Sequence, residues 1–178
     1  DAAAALQWVV ANANTLHIDP HAVGVGGDSA GGNLAAVLAL MSRDGDLPKL
    51  CCQALLYPVT DLTCQFPSYE RVRSDLPLTS STMRYFIEHY IPSGIDKTDW
   101  RVSPLHASTL AGVAPALVLT VAHDPLCDEG RAYAHRLDEA GVRVAAWHFN
   151  DQMHGLLSQG RFISMANTVA HQVFSLVG

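Results

Sequence analysis

The sequence has no long hydrophobic run. Its longest unbroken apolar stretch, Leu34 to Met41, is far too short to span a membrane. It has no cluster of Lys and Arg, and its formal net charge is -6. Non-specific nucleic-acid binding neutralises phosphates with basic side chains, so the composition argues against a nucleic-acid partner. The four cysteines, Cys51, Cys52, Cys64 and Cys127, contain no C-x-x-C pair. Read as neighbours on a strand, Cys51 and Cys52 are expected to face opposite sides of a sheet. Free thiols in a reducing, cytoplasmic setting fit this usage better than a disulfide framework. No H-E-x-x-H occurs among the nine histidines, so neither a metal site nor a cofactor is expected.

What is present is a globular composition. Apolar residues make up 49% of the 178, enough for one core of ordinary size. The chain opens at Asp1 inside a helical pattern, with Leu6, Val9, Val10 and Ala13 at helical spacing. The expectation is a fragment of one domain, residues 1–178, whose N-terminal strands are missing.

Strand and helix patterns then alternate. A helix is expected over residues 2–14, followed by a strand at 21–27. Next come a helix from Ala30 to the Asp44-Gly45-Asp46 turn and a buried strand over 51–59. A third strand is expected over 115–123, then a helix ending at Gly141, a fourth strand over 142–149 and a closing helix. Such alternation predicts an α/β fold, a mostly parallel sheet with helices on both faces. A long interruption, about 62–113, separates strands two and three. Its amphipathic segment "SSTMRYFIEHYI" places Met83, Phe86, Ile87 and Tyr90 on one stripe. That helix reads either as ordinary packing or as a partial cap over a pocket.

One stretch carries chemistry. "VGVGGDSAGGN", residues 23–33, sets Ser29 in a Gly-x-Ser-x-Gly frame. The frame alone is weak, since chance gives it roughly once in twenty chains of this size. Context strengthens it, because a nucleophile elbow needs a strand before the serine and a helix after it. The turn is strained, and Gly26, Gly27, Ala30, Gly31 and Gly32 keep its flanks small. A phosphate-binding glycine loop fits less well, for the G-x-x-x-x-G-K-[ST] lysine is absent.

A serine hydroxyl needs a base before it attacks. The elbow predicts the chain order Ser, then Asp or Glu, then His. Asp124 follows the third strand and precedes Pro125, which suits a loop. His154 follows the fourth strand, with Gly155 beside it. Both lie at strand carboxyl ends, where open α/β sheets build their sites. The rivals are weaker. Asp128 and Glu129 read as acids of a helix N-terminus. His123 would need another acid, His148 falls inside its strand, and Asp28 receives no chemical role.

"GDSAGGN", "LLYPVTD", "RVSPL", "DPLCDEG", "YAHRLDEAGV" and "MHG" together resemble the hormone-sensitive-lipase-like carboxylesterases of bacterial type, a family of the α/β-hydrolase superfamily. The resemblance runs over essentially the whole chain, with the motifs in the family's order. It implies an α/β-hydrolase fold and a serine carboxylesterase acting on short- to medium-chain acyl esters through an acyl-serine. It matches Ser29 to the nucleophile, Asp124 to the acid and His154 to the base. Ala30 matches the residue whose backbone N–H joins the oxyanion hole.

The sequence departs from the family's pattern in two ways. The upstream His-Gly-Gly-Gly stretch, source of the other oxyanion donors, does not occur. Cys127 also stands where an arginine is common in the family. Other readings stay open: a non-catalytic small-molecule-binding protein on the same fold, a peptidase or acyltransferase, or an inactive fragment. The expected partner is a small-molecule ester, and a homo-oligomer is compatible with the sequence.

Overall fold

The computed structural model describes residues 1–177. Its centre is a parallel sheet of β1 (Val25–Asp28), β2 (Gln53–Leu56), β3 (Ala116–His123) and β4 (Val144–Met153). The strands lie in chain order, so β1 and β4 are the edges. Their carboxyl ends point the same way, and residues from three loops can therefore meet along one rim.

Around the sheet run α1 (Ala2–Ala11), α2 (Ala13–Leu16), α3 (Ala30–Asp44), α4 (Ser68–Arg71), α5 (Ser80–Tyr90), α6 (Cys127–Glu139) and α7 (Ser164–Val177). Alternation along β3 explains their placement. Ala116 and Val118 face one way and join Ala36, Leu40, Tyr133 and Leu137 of α3 and α6. Leu117, Leu119 and Val121 face the other way and join Val169 and Val173 of α7. Both faces of the sheet are thus covered, and β3 is apolar almost throughout. Burying each such aliphatic side chain contributes about 1.5–3 kcal/mol at most. A third cluster, including Val59, Leu62, Met83 and Ile87, holds the inserted segment.

Local chemistry sets the ends of the helices. Gly45 stops α3 with φ 86°, Gly45 N–H donating to Ser42 O and Asp46 N–H to Met41 O. That is the paired-bond helix stop for which glycine is favoured. Thr79 starts α5 by accepting from Thr82 N–H at 3.2 Å.

Several expectations shift. The first helix breaks at Asn12, whose Nδ2 donates to Trp8 O at 2.8 Å and competes with the helical ladder. The second strand is shorter than 51–59. It starts at Gln53 and ends before Tyr57, which takes φ 37°. Cys51 and Cys52 consequently precede the strand, so they do not alternate. Their sulfurs converge to 3.8 Å, against the expectation of opposite faces. The fourth strand runs further than expected, to Met153. The α5 stripe holds as one face, Met83, Phe86, Ile87 and Tyr90 lining a common groove, with Met83 and Ile87 buried and Phe86 and Tyr90 more than half exposed.

Candidate active site

Ser29 sits between β1 and α3 with φ 55° and ψ -118°, a conformation that costs a residue with a Cβ of order 1–3 kcal/mol. The surroundings hold it there. Its N–H donates to Leu56 O at 2.9 Å, and its carbonyl accepts from Asn33 N–H and Val59 N–H. The neighbouring glycines are required by close approach. A Cβ on Gly27 would meet the Gly31 backbone at 2.3 Å, and one on Gly32 would meet Pro58 Cβ at 2.8 Å. Ala30 opens α3, where the first N–H groups lack intrahelical partners and favour negative charge.

Asp124 and His154 reach this serine from two other loops. Asp124 Oδ2 lies 2.7 Å from His154 Nδ1, and His154 Nε2 lies 3.0 Å from Ser29 Oγ. The second carboxylate oxygen accepts from Leu126 N–H at 2.8 Å, so the aspartate cannot swing away freely. The Asp124 side chain is wholly buried, and the His154 ring is 13% exposed. An irregularity in the β3–β4 pairing between Val121 and His123 lies just before both loops. Bulges of this kind re-aim side chains at the ends of strands.

Two supporting residues escaped the sequence reading. Tyr57, buried, packs its ring 4.9 Å from the His154 ring, tilted by 60°. Burial pushes its phenol up to about 12, with the Asp28 charge adding to the effect. Glu129 is buried completely and acts as a hub. One carboxylate oxygen accepts from Thr60 N–H at 2.7 Å and Asp61 N–H at 3.1 Å, while the other accepts from the Tyr69 hydroxyl at 3.0 Å. Burial holds its carboxyl well above the usual glutamate range. The hub ties α6 to the loop after β2, the loop that carries Tyr57.

The rival residues go elsewhere. Asp128 pairs with Arg71 at 2.9 Å. His123 is exposed at the end of β3, and its carbonyl accepts from His154 N–H. His148 lies within β4 and meets the Thr120 hydroxyl at 2.9 Å, where burial lowers its pKa. Cys127 is buried, and burial raises its thiol.

Beside Ser29 lies a groove of about 270 Å³, walled by Leu34, Val59, Leu62, Met83, Phe86 and Tyr90. Its walls are mostly apolar, and its polar residues are Ser29 and Asn33. The arrangement provides a hydroxyl with a hydrogen-bonded base, a buried acid orienting that base, and an apolar surface next to them. No helix among the described residues is long and apolar enough to cross a membrane. No group of three or more His, Cys, Asp or Glu suited to a metal ion occurs among them either.

The chain is similar to known proteins. The chain is 39% identical to an ethyl acetate hydrolase of Pseudomonas putida over 170 residues, covering 94% of this chain and 53% of that protein. It is 41% identical to the carboxylic ester hydrolase LipN of Mycobacterium tuberculosis over 166 residues, covering 89% of this chain and 44% of that protein. The chain spans about half the length of these curated relatives. Among solved structures, the thermostable carboxylesterase EstE1, cloned from a metagenomic library, superposes with a TM-score of 0.94 at 36% identity. The match covers 99% of this chain and 61% of that one. A family model described as alpha/beta hydrolase fold matches residues 1–158. Sheet order, the strained serine turn and these likenesses agree: the chain belongs to the α/β-hydrolase-fold family.

Proposed function

We propose that the protein of this chain is a serine carboxylesterase acting on short- to medium-chain acyl esters. The observation that carries the reading is the unbroken chain from Asp124 Oδ2 through His154 to Ser29 Oγ, with contacts of 2.7 Å and 3.0 Å. Relatives named as ester hydrolases support it.

In this reading His154 Nε2 takes the Ser29 proton as Oγ attacks the ester carbonyl. Asp124 holds the imidazole tautomer and stabilises the imidazolium. The Ala30 N–H donates to the developing oxyanion. His154 then returns the proton to the leaving alcohol. In the second half it activates water, which releases the acid from Ser29. The apolar groove holds the hydrocarbon part of the substrate. We assign residues 62–113 as a cap-like insertion of a single catalytic domain, with α5 as its wall over the groove. The four free thiols support a cytoplasmic location.

The test is hydrolysis of a chromogenic butyrate ester by the native chain and by Ser29→Ala and His154→Ala. Turnover that disappears in both variants supports the reading. Turnover that persists in Ser29→Ala overturns it.

A further inference from the structure

The end of β2 and the turn after it touch both the nucleophile and the base. Leu56 O accepts from Ser29 N–H at 2.9 Å, and Val59 N–H donates to Ser29 O at 3.2 Å. Between them stands Tyr57, its ring 4.9 Å from the His154 ring and tilted by 60°. One short segment thus holds the serine backbone and backs the imidazole.

The turn is held against strain. Tyr57 takes φ 37°, left-handed backbone that a residue with a Cβ keeps only where its surroundings over-determine it. Tyr57 N–H donates to Leu119 O at 2.6 Å. Pro58 lies against two glycines, for a Cβ on Gly32 would meet it at 2.8 Å and one on Gly130 at 3.6 Å. Thr60 N–H donates to Glu129 Oε1 at 2.7 Å. Tyr57 is 1% exposed and belongs to the cluster of Leu119, Val121 and Leu156. Its phenol adds little. The oxygen is buried near the Leu157 backbone, bonds no side chain and keeps its proton at neutral pH.

The reaction needs such a wall. The His154 ring has two bonds, Nδ1 to Asp124 and Nε2 to Ser29. In the proposed hydrolysis Nε2 must give up Ser29 Oγ and turn its proton to the leaving alcohol. The Asp124 bond alone would then let the ring pivot about it. A packed aromatic ring limits that pivot.

We propose that Tyr57 is a positioning residue for the base, its ring holding the His154 imidazole where it serves first Ser29 and then the leaving alcohol, a role that rests on the serine carboxylesterase reading. The ring carries the role, not the hydroxyl. Tyr57 does not wall the substrate groove, so its effect belongs to turnover and not to substrate binding.

The test compares the native chain with Tyr57→Phe and Tyr57→Leu. Both variants keep a Cβ at the strained position, so the comparison varies the side chain and not the turn. With a chromogenic butyrate ester, Tyr57→Phe should keep native kcat and KM. Tyr57→Leu should lose ~10²-fold in kcat, the scale of a small misplacement of a reacting group, with KM nearly unchanged. Nitrogen-15 histidine spectra read the imidazole directly. The Nδ1 proton shared with Asp124 should be sharp and far downfield in the native chain and Tyr57→Phe, and broadened or lost in Tyr57→Leu. This arm uses no substrate, so it decides the role of Tyr57 even if the native chain hydrolyses no ester, the outcome that would sink the esterase reading instead. Circular dichroism checks the fold. A folded Tyr57→Leu with a native kcat or a native Nδ1 signal, or a loss confined to KM, would overturn the proposal. So would a Tyr57→Phe that loses turnover or the Nδ1 signal, a result that stands whether or not Tyr57→Leu folds.

Discussion

At the scale of the residue, three side chains carry the proposed chemistry and two more hold them. That Ser29, Asp124 and His154 would meet was legible because their signals are local: a glycine frame and two strand ends in the expected order. Tyr57 and Glu129 were not, because their roles arise from contacts made only in three dimensions. Glu129 is 69 residues from Thr60, whose N–H it accepts. The Cys51–Cys52 reading failed for a different reason. Alternation holds within a strand, and this strand begins one residue later.

Removing the acid tests the residue account. Asp124→Asn should fold normally yet lose about 10⁴-fold in turnover, since the imidazole is left in the wrong tautomer. Matched circular dichroism with steady-state kinetics measures both. Glu129 makes a pH prediction. Its carboxyl is raised in the folded state, so above the unfolded glutamate value of about 4.3 the unfolded chain releases a proton that the native one retains. This contribution is absent at lower pH and erodes stability as pH rises towards the folded value. Glu129→Gln removes it, so its stability relative to the native chain should improve from pH 4 to pH 7. Urea denaturation at both pH values reads the difference. A gap that does not change would contradict the raised carboxyl.

Among the elements, the β1–α3 junction has the tightest geometry. The motif treats Gly27 and Gly31 alike, but the structure does not. Gly27→Ala would drive a Cβ into the Gly31 backbone at 2.3 Å, whereas a Cβ on Gly31 meets nothing within 4 Å. Gly27→Ala should cost about 2–3 kcal/mol and abolish reaction at Ser29. Gly31→Ala should stay within ~0.5 kcal/mol of the native stability and keep that reaction. Thermal melts and serine labelling separate the two. The α5 helix offers a similar contrast. Its stripe was legible, but the depth of each side chain was not. Met83, Ile87, Phe86 and Tyr90 all line the groove, Met83 and Ile87 buried and Phe86 52% exposed. Phe86→Ala should leave the melting temperature nearly unchanged and alter the ratio of kcat/KM between acetate and hexanoate esters.

The whole molecule is a parallel sheet packed on both faces, and the alternation of patterns made that architecture readable from the sequence. Boundaries were less readable, because tertiary bonds decide them. The second strand ends at Leu56 rather than Val59, for the chain turns at Tyr57 and brings its ring to His154. The core predicts its own sensitivity. Leu119 is fully buried between β2, β4 and the α7 side, so Leu119→Ala should lose about 2–5 kcal/mol by urea denaturation.

The central claim is that the molecule brings three loops together to make one serine reactive. A fluorophosphonate probe followed by peptide mapping tests it most directly. The account predicts one adduct, on Ser29, that is lost when His154 becomes Ala. A folded chain that takes no label, or that carries it on another residue, would contradict the account.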